Sequence, residues 1–292
     1  PLYGSFVLEA SEDIDNAKLE LLGTTTSEKT IVVNENVVLD LEELIKLWEE
    51  PLEKVFPTRV EQKGEARNIL SQKTPTITRK LPITRPHVFI PVFPGTNCEY
   101  DSAKAFEDSG AIVSTVVFKN LKPQDIQDSI ELFAKEIEKA QIIMFPGGFS
   151  AGDEPDGSGK FISSIFRNPK LKDLIHKHLY EKDGLMLGIC NGFQALVKLG
   201  LLPYGEIREM DDTMPTLTFN TISRHQSKMV NTKVVSKMSP WFSEVELGEE
   251  FIVPISHGEG RFIVSKELEE ELIANGQIAT QYVDFNGNAT YD

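Results

Sequence analysis

Cysteine is scarce in this chain: 292 residues carry only two, Cys98 and Cys190. That excludes a disulfide framework and a cysteine-built zinc site, and it fits a reducing compartment. No apolar run approaches the roughly 20 residues that cross a bilayer, and the first residues lack a basic-then-apolar signal pattern, so the expected location is cytoplasmic. Positive charge is also short. Thirty Lys and Arg against forty-five Asp and Glu leave a net charge of −15, which argues against nucleic acid or an anionic membrane as a partner. The chain opens on proline rather than methionine and runs into a strand-like segment, so it is read as a piece of something longer. What is present, 40% hydrophobic and 26% charged residues, is ordinary for a globular chain of one or two domains.

The chain is organised around residues 184–199, GLMLGICNGFQALVKL. Leu185 to Ile189 reads as a buried strand and Asn191 to Leu199 as a helix closed by Gly200, which puts Cys190 on the turn between them. Gly188 and Gly192 flank it two residues away on either side, the spacing of a nucleophile elbow. The helix N-terminus favours a thiolate and can hold an oxyanion. The competing reading is a small buried hydrophobe, the usual fate of a lone cysteine. The spacing favours the elbow.

A second apolar strand, in QIIMFPGGFSAG from Gln141 to Gly152, ends in Pro-Gly-Gly. Glycines at the carboxyl end of a strand let backbone N–H groups approach a ligand, as an oxyanion hole requires; alone, the pattern is equally an ordinary turn.

Taken in order, residues 1–57 read as short strands (SFVLEA, AKLELLG, KTIVVNENVVL) and one helix, with Asp40 and Glu43 as its cap and Leu41, Leu44, Ile45 and Trp48 as core positions. Residues 58–86 read as a Pro-containing linker whose Arg59, Lys63, Arg67, Lys73, Arg79, Lys80 and Arg85 are solvated, and which limited proteolysis should cut. From His87 strand and helix alternate, the pattern of an α/β fold with a mostly parallel open sheet flanked by helices. The loop ending at Cys98 then lies on the same carboxyl rim as Cys190, where Cys98 reads as a wall residue. Beyond Gly200, strand-rich segments would extend the sheet or form an antiparallel flank.

Other motifs carry less. Gly159-Lys160 could close a phosphate loop, but Glu154 and Phe161 stand where that motif needs glycine and a hydroxyl residue. His176 and His178 are two apart on a helix read as outward-facing, so they do not share a face for a metal, and no metal site is expected. A cysteine nucleophile wants a histidine base and a carboxylate to orient it. His257 and Glu259, i and i+2 on a strand, are the local candidates, although FIVPIS and RFIVS also read as the two arms of a hairpin around them.

FPGGFSAGDE followed by GICNGFQAL resembles the class I, or triad, glutamine amidotransferases. FPGTNCEYD, RNPKLKDLI, SRHQSKMV and SHGEGRF narrow the resemblance to the purine-pathway branch, over roughly residues 86–292. The resemblance implies glutamine hydrolysis through a thioester at Cys190, with Gly147, Gly148 and the Asn191 amide forming the oxyanion hole and glutamine site and Gln194 touching glutamine. It implies that ammonia passes to a synthetase portion, which uses ATP and Mg to make formylglycinamidine ribonucleotide; this chain itself holds no cofactor. Residues 1–57 resemble the end of that synthetase portion in its large single-chain form, giving domains 1–57, 58–86 and 87–292. In the family the triad histidine and glutamate sit in a later His-x-Glu-Arg motif, which would lie beyond Asp292, so the chain alone is expected to be nearly inactive and His257 to lie outside the triad. The alternatives are another cysteine hydrolase, disfavoured by Asn191 where a histidine is usual, and an incomplete docking or regulatory module.

Overall fold

A computed structural model describes the chain except for residues 1–2, 13, 15–18, 61–65, 76–82, 151, 153–158 and 292. Two units result, Pro1–Arg59 and Val60–Asp292. In the first, β1 (Thr30–Val33) and β2 (Val37–Asp40) form an antiparallel hairpin. Asn34 and Glu35 reverse the chain with positive φ. Asp40 then caps α1 (Leu41–Glu53), its Oδ1 accepting the Glu43 N–H at 2.8 Å. Pro51 lies inside the helix without ending it.

No residue of α1 is buried, and Trp48 is 83% exposed. The expected core positions of this helix are therefore not core within the unit, because two four-residue strands offer too little face to cover them. The described residues of SFVLEA and AKLELLG are not strands either.

The second unit is built on β3 (His87–Val92), α2 (Glu99–Asp108), β4 (Ile112–Val117), α3 (Pro123–Lys139), β5 (Ile142–Phe145), α4 (Lys160–Phe166), α5 (Pro169–Tyr180), β6 (Leu185–Gly188), α6 (Asn191–Leu199) and the short turn α7 (Leu201–Tyr204). Its sheet has the order β4-β3-β5-β6, all parallel. Helices cover both faces, which is why β3 reads as an unbroken apolar run. Phe89 points into a core with Phe133, Phe145, Phe166, Leu171 and Ala195, whereas Val88 and Ile90 point the other way, toward Phe106 of α2. Several pairs of the aromatic cluster pack edge to face, as at Phe89–Phe133 with ring centroids 5.2 Å apart, each such pair adding about 0.5–1.5 kcal/mol to the area buried. β6 is only half-buried, because it is the edge of the sheet rather than an interior strand.

Beyond α7, β7 (Thr216–Thr218), β8 (Gln226–Val234), β9 (Glu250–His257), β10 (Arg261–Ile263), α8 (Lys266–Asn275) and β11 (Thr280–Val283) make two small antiparallel sheets, β10-β7 and β11-β8-β9. β9 and β10 do not pair with each other, so FIVPIS and RFIVS are not a hairpin; each finds a partner earlier in the chain. Part of the stretch expected as a linker runs along this flank. The Ser71 N–H donates to the Val235 carbonyl at 2.8 Å, the Ile69 N–H to Gln281 Oε1 at 3.1 Å, and Arg67 pairs with Glu270 at 2.6 Å. Lys63, Arg79, Lys80 and the Leu81–Pro82 pair lie outside the described residues.

The order β4-β3-β5-β6 has one consequence for function. The chain leaves β3 in one direction to reach β4 and resumes at β5 on the other side, so the crevice between the carboxyl ends of β3 and β5 is where ligands bind in open α/β sheets.

Candidate functional site at the carboxyl rim

Three loops meet at that crevice: residues 94–98 after β3, 146–150 after β5, and Ile189–Cys190 after β6. The first two are tied by a bridge between Thr96 and Gly148 and by the Phe149 N–H donating to the Gly95 carbonyl at 2.9 Å. Gly148 has φ 119°, and a methyl on it would stand 2.8 Å from both Asn97 N and Gly95 O, so only glycine closes this contact.

The third loop is the elbow. Cys190 has φ 53° and ψ −111°, is exposed, and stands at the N-terminus of α6. A non-glycine residue there stores about 1–3 kcal/mol of backbone strain, held by its surroundings. The Ile189 N–H donates to the Phe145 carbonyl at 3.1 Å, continuing the sheet, and the Gly192 N–H returns to the Ile189 carbonyl at 2.9 Å. Gly192 is forced by contact: a methyl on it would lie 2.0 Å from the Phe145 carbonyl oxygen. The elbow is thus pressed against the end of β5, and Gly147 lies beside it, its missing methyl 3.3 Å from Cys190 Cβ.

The expected site residues come together as follows. Gly147 and Gly148 are buried. Asn191 is buried behind the elbow, its Oδ1 accepting from the Ser150 N–H and its Nδ2 donating to Gln194 Oε1, both at 3.4 Å. Gln194, one turn further along α6, donates from Nε2 to the Glu259 carbonyl at 3.4 Å and to Glu259 Oε2 at 3.3 Å. The turn carrying Glu259 therefore closes over the start of α6. Cys98 is half-buried at the start of α2 and its Sγ donates to Asn97 Oδ1 at 3.2 Å. Burial, and after it the neighbouring Cys190, Asp101 and Glu99, push the Cys98 thiol pKa up. The polar residues 151 and 153–158, Glu154 of the rejected phosphate loop among them, lie outside the described residues.

His257 and Glu259 do not pair. His257 Nδ1 donates to Asn220 Oδ1 at 2.8 Å, while the Glu259 carboxylate meets Gln194. Asn220 is a hub: its Oδ1 also accepts the Gly260 N–H, and its Nδ2 donates to the His257 and Arg224 carbonyls. Burial, then the nearby His225, holds the His257 pKa below its ordinary value. His225 itself is exposed, with Nε2 2.9 Å from Ser256 Oγ.

The α5 histidines are structural and inward, contrary to the outward face expected of them. His178 is fully buried with Nε2 donating to the Leu185 carbonyl at 3.1 Å, and His176 Nε2 accepts the Ile207 N–H at 2.9 Å. His178 continues the stripe of Leu171 and Ile175, and that spacing could have revealed its burial.

Two residues near the elbow carry no expectation from sequence. Asn220 sits in a segment that reads simply as a strand. Ser150 has a buried Oγ without a hydrogen-bond partner among the described residues, in the loop facing Asn191. No group of three or more His, Cys, Asp or Glu among the described residues could hold a metal. No described helix is long and apolar enough to cross a membrane. A cavity of about 610 Å³ lies at the other end of the sheet, lined by Pro86, Gln141 and Leu185, where no rim residue reaches.

The model of the CobB/CobQ-like glutamine amidotransferase domain matches residues 85–292. Phosphoribosylformylglycinamidine synthase subunit PurQ of Methanococcus maripaludis strain C5 is 36% identical over 200 residues, covering 67% of this chain and 66% of that one. The subunit of the same name from Sulfurimonas denitrificans is 32% identical over 199 residues, covering 67% and 74%. The chain spans 65–66% of the length of the Methanococcus relatives it matches. The solved structure of PurLQS from Thermotoga maritima aligns with TM-score 0.49 and 27% identity, covering 68% of this chain and 76% of that one.

Proposed function

Because this chain belongs to the CobB/CobQ-like glutamine amidotransferase domain family, we propose that it is a glutaminase with Cys190 as nucleophile, supplying ammonia for the synthesis of phosphoribosylformylglycinamidine that its relatives are named for. The observation that carries this reading is the elbow: an exposed thiol at φ 53°, at a helix N-terminus, beside the Pro-Gly-Gly loop. The Cys190 sulfur attacks the side-chain amide carbon of glutamine. Backbone N–H groups of Gly148 and Asn191 receive the oxyanion where charge develops. Collapse expels ammonia and leaves a γ-glutamyl thioester, which water then hydrolyses to glutamate. Gly147 leaves room for the substrate beside the sulfur, and Gln194 with Glu259 forms the wall along α6.

His257 is not assigned the proton transfers, since its Nδ1 is held by Asn220 rather than by a carboxylate among the described residues. In the proposal the ammonia passes to the synthetase portion of the same enzyme, and ATP and Mg belong to that portion. We also read residues 1–57 as the end of a synthetase portion on the same chain, 58–86 as a connector and 87–292 as the glutaminase domain, a division that rests on the resemblance of those segments.

The test uses the chain with its synthetase partner. Cys190→Ser should abolish synthesis with glutamine as nitrogen donor while leaving synthesis with added ammonium salt intact. Glutamine-dependent synthesis that persists in Cys190→Ser contradicts the assignment, and equal persistence in the absence of the whole domain would make it a docking module.

A further inference from the structure

Cys98 and Cys190 follow different strands, yet they flank one residue. A methyl on Gly147 would lie 3.4 Å from Cys98 Sγ and 3.3 Å from Cys190 Cβ, so the two cysteines border the same glycine. Cys98 Sγ is therefore within about 7 Å of Cys190 Cβ, near enough for rotamer changes and a small loop shift to bring sulfur to sulfur. Cys190 is exposed, and Cys98 is half-buried behind it. Both are free thiols, and they are the two cysteines of the chain.

We propose that this pair is an oxidative modification site, in which hydrogen peroxide oxidises Cys190 and Cys98 resolves the product into an intramolecular disulfide. The Cys190 thiolate attacks one peroxide oxygen; an S–O bond forms, the O–O bond breaks, and the departing hydroxide takes up the proton that the thiol had released, giving water and a sulfenic acid. The Cys98 sulfur then attacks the sulfenic sulfur; the S–S bond forms, the S–O bond breaks, and hydroxide leaves with the Cys98 proton as a second water. Two thiols lose two electrons and the peroxide gains them. A dithiol reductant reverses the bond, whereas sulfinic acid, the next step of oxidation at an unresolved Cys190, is not reversed by it. The site goes beyond glutamine hydrolysis and does not depend on it.

The test is peptide mapping under non-reducing conditions after dilute hydrogen peroxide treatment of the full chain. The Cys98 and Cys190 peptides should appear crosslinked in the monomer and separate on addition of dithiothreitol. In Cys98→Ser, irreversible oxidation of Cys190 should rise about tenfold at the same peroxide dose. Gly147→Ala, which places a methyl against both cysteines, should lower the crosslink yield; if that variant unfolds, Cys98→Ser decides the matter alone. A wild-type chain whose Cys190 reaches sulfinic acid as fast as in Cys98→Ser, or whose cysteines crosslink only between molecules, overturns the proposal.

Discussion

The two cysteines of this chain stand on one rim, at the ends of strands of one sheet, and beside one glycine, yet their backbones differ. Cys190 sits at φ 53°, ψ −111° on a turn pressed against β5; Cys98 sits at φ −111°, ψ 12°, a conformation any residue adopts, and is half-buried. Nearness to the crevice is common to both, so it does not make a nucleophile. The difference lies in what each turn is forced to do. Gly192 lets the elbow approach the Phe145 carbonyl so closely that the chain must bend sharply, and that bend is what lifts the Cys190 side chain into the open. The Cys98 loop makes its contact through Gly148 instead, and the cysteine is free to turn aside to Asn97.

The comparison breaks most severely at Gly192. Gly192→Ala puts a methyl 2.0 Å from a backbone oxygen that cannot move without disturbing β5, and should cost about 3 kcal/mol in urea denaturation. A loss below about 1 kcal/mol would mean the elbow is not held by this contact.

An acid titration separates the rim from the sheet beneath it. Burial holds the His178 pKa below its ordinary 6.5, the Leu185 and Ala140 carbonyls offsetting part of the effect. The unfolded chain therefore takes up a proton as pH falls through 6.5 while the folded chain resists it, so stability declines in that direction, by at most about 1.4 kcal/mol per pH unit for one such group. Denaturation midpoints at pH 7.5 and 5.5 should show the decline in wild type and a smaller one in His178→Leu. An unchanged slope would assign the acid sensitivity elsewhere, His257 being the next group shifted in the same direction.

The smallest effect sharpens the contrast most. Cys190→Gly relieves the strained φ and should stabilise the fold by about 1 kcal/mol while removing the proposed nucleophile. Cys98→Gly relieves nothing and should cost about 0.5 kcal/mol through the freedom it gives the unfolded chain. Opposite signs in thermal melts support the elbow; two losses would place Cys190 in an unstrained site.

Much of this was legible in the residues. The α3, α5 and α6 boundaries follow from Pro at the start of two of them, Gly200 at the end of the third, and helical apolar spacing; the parallel sheet follows from the alternation of strand and helix. The elbow was legible for the same reason, since a strand, a turn and a helix within sixteen residues are local. What could not be read was long-range. β9 and β10 look like neighbours in a hairpin, but their partners β8 and β7 are set by packing that no local pattern records. The contact between Gln194 and Glu259 spans 65 positions, so nothing in either segment announces it. The exposed face of α1 shows the converse: a clear apolar stripe states that a helix has a side to bury, and says nothing of what covers it.

The most direct test of the central claim is competitive labelling of the two thiols. A glutamine analogue bearing an electrophile at the amide carbon should modify Cys190 before Cys98, with excess glutamine protecting Cys190 alone, as read by peptide mapping at limited conversion. Preferential modification of Cys98, or labelling of Cys190 that glutamine does not slow, would contradict the assignment of the elbow as the glutamine-binding nucleophile.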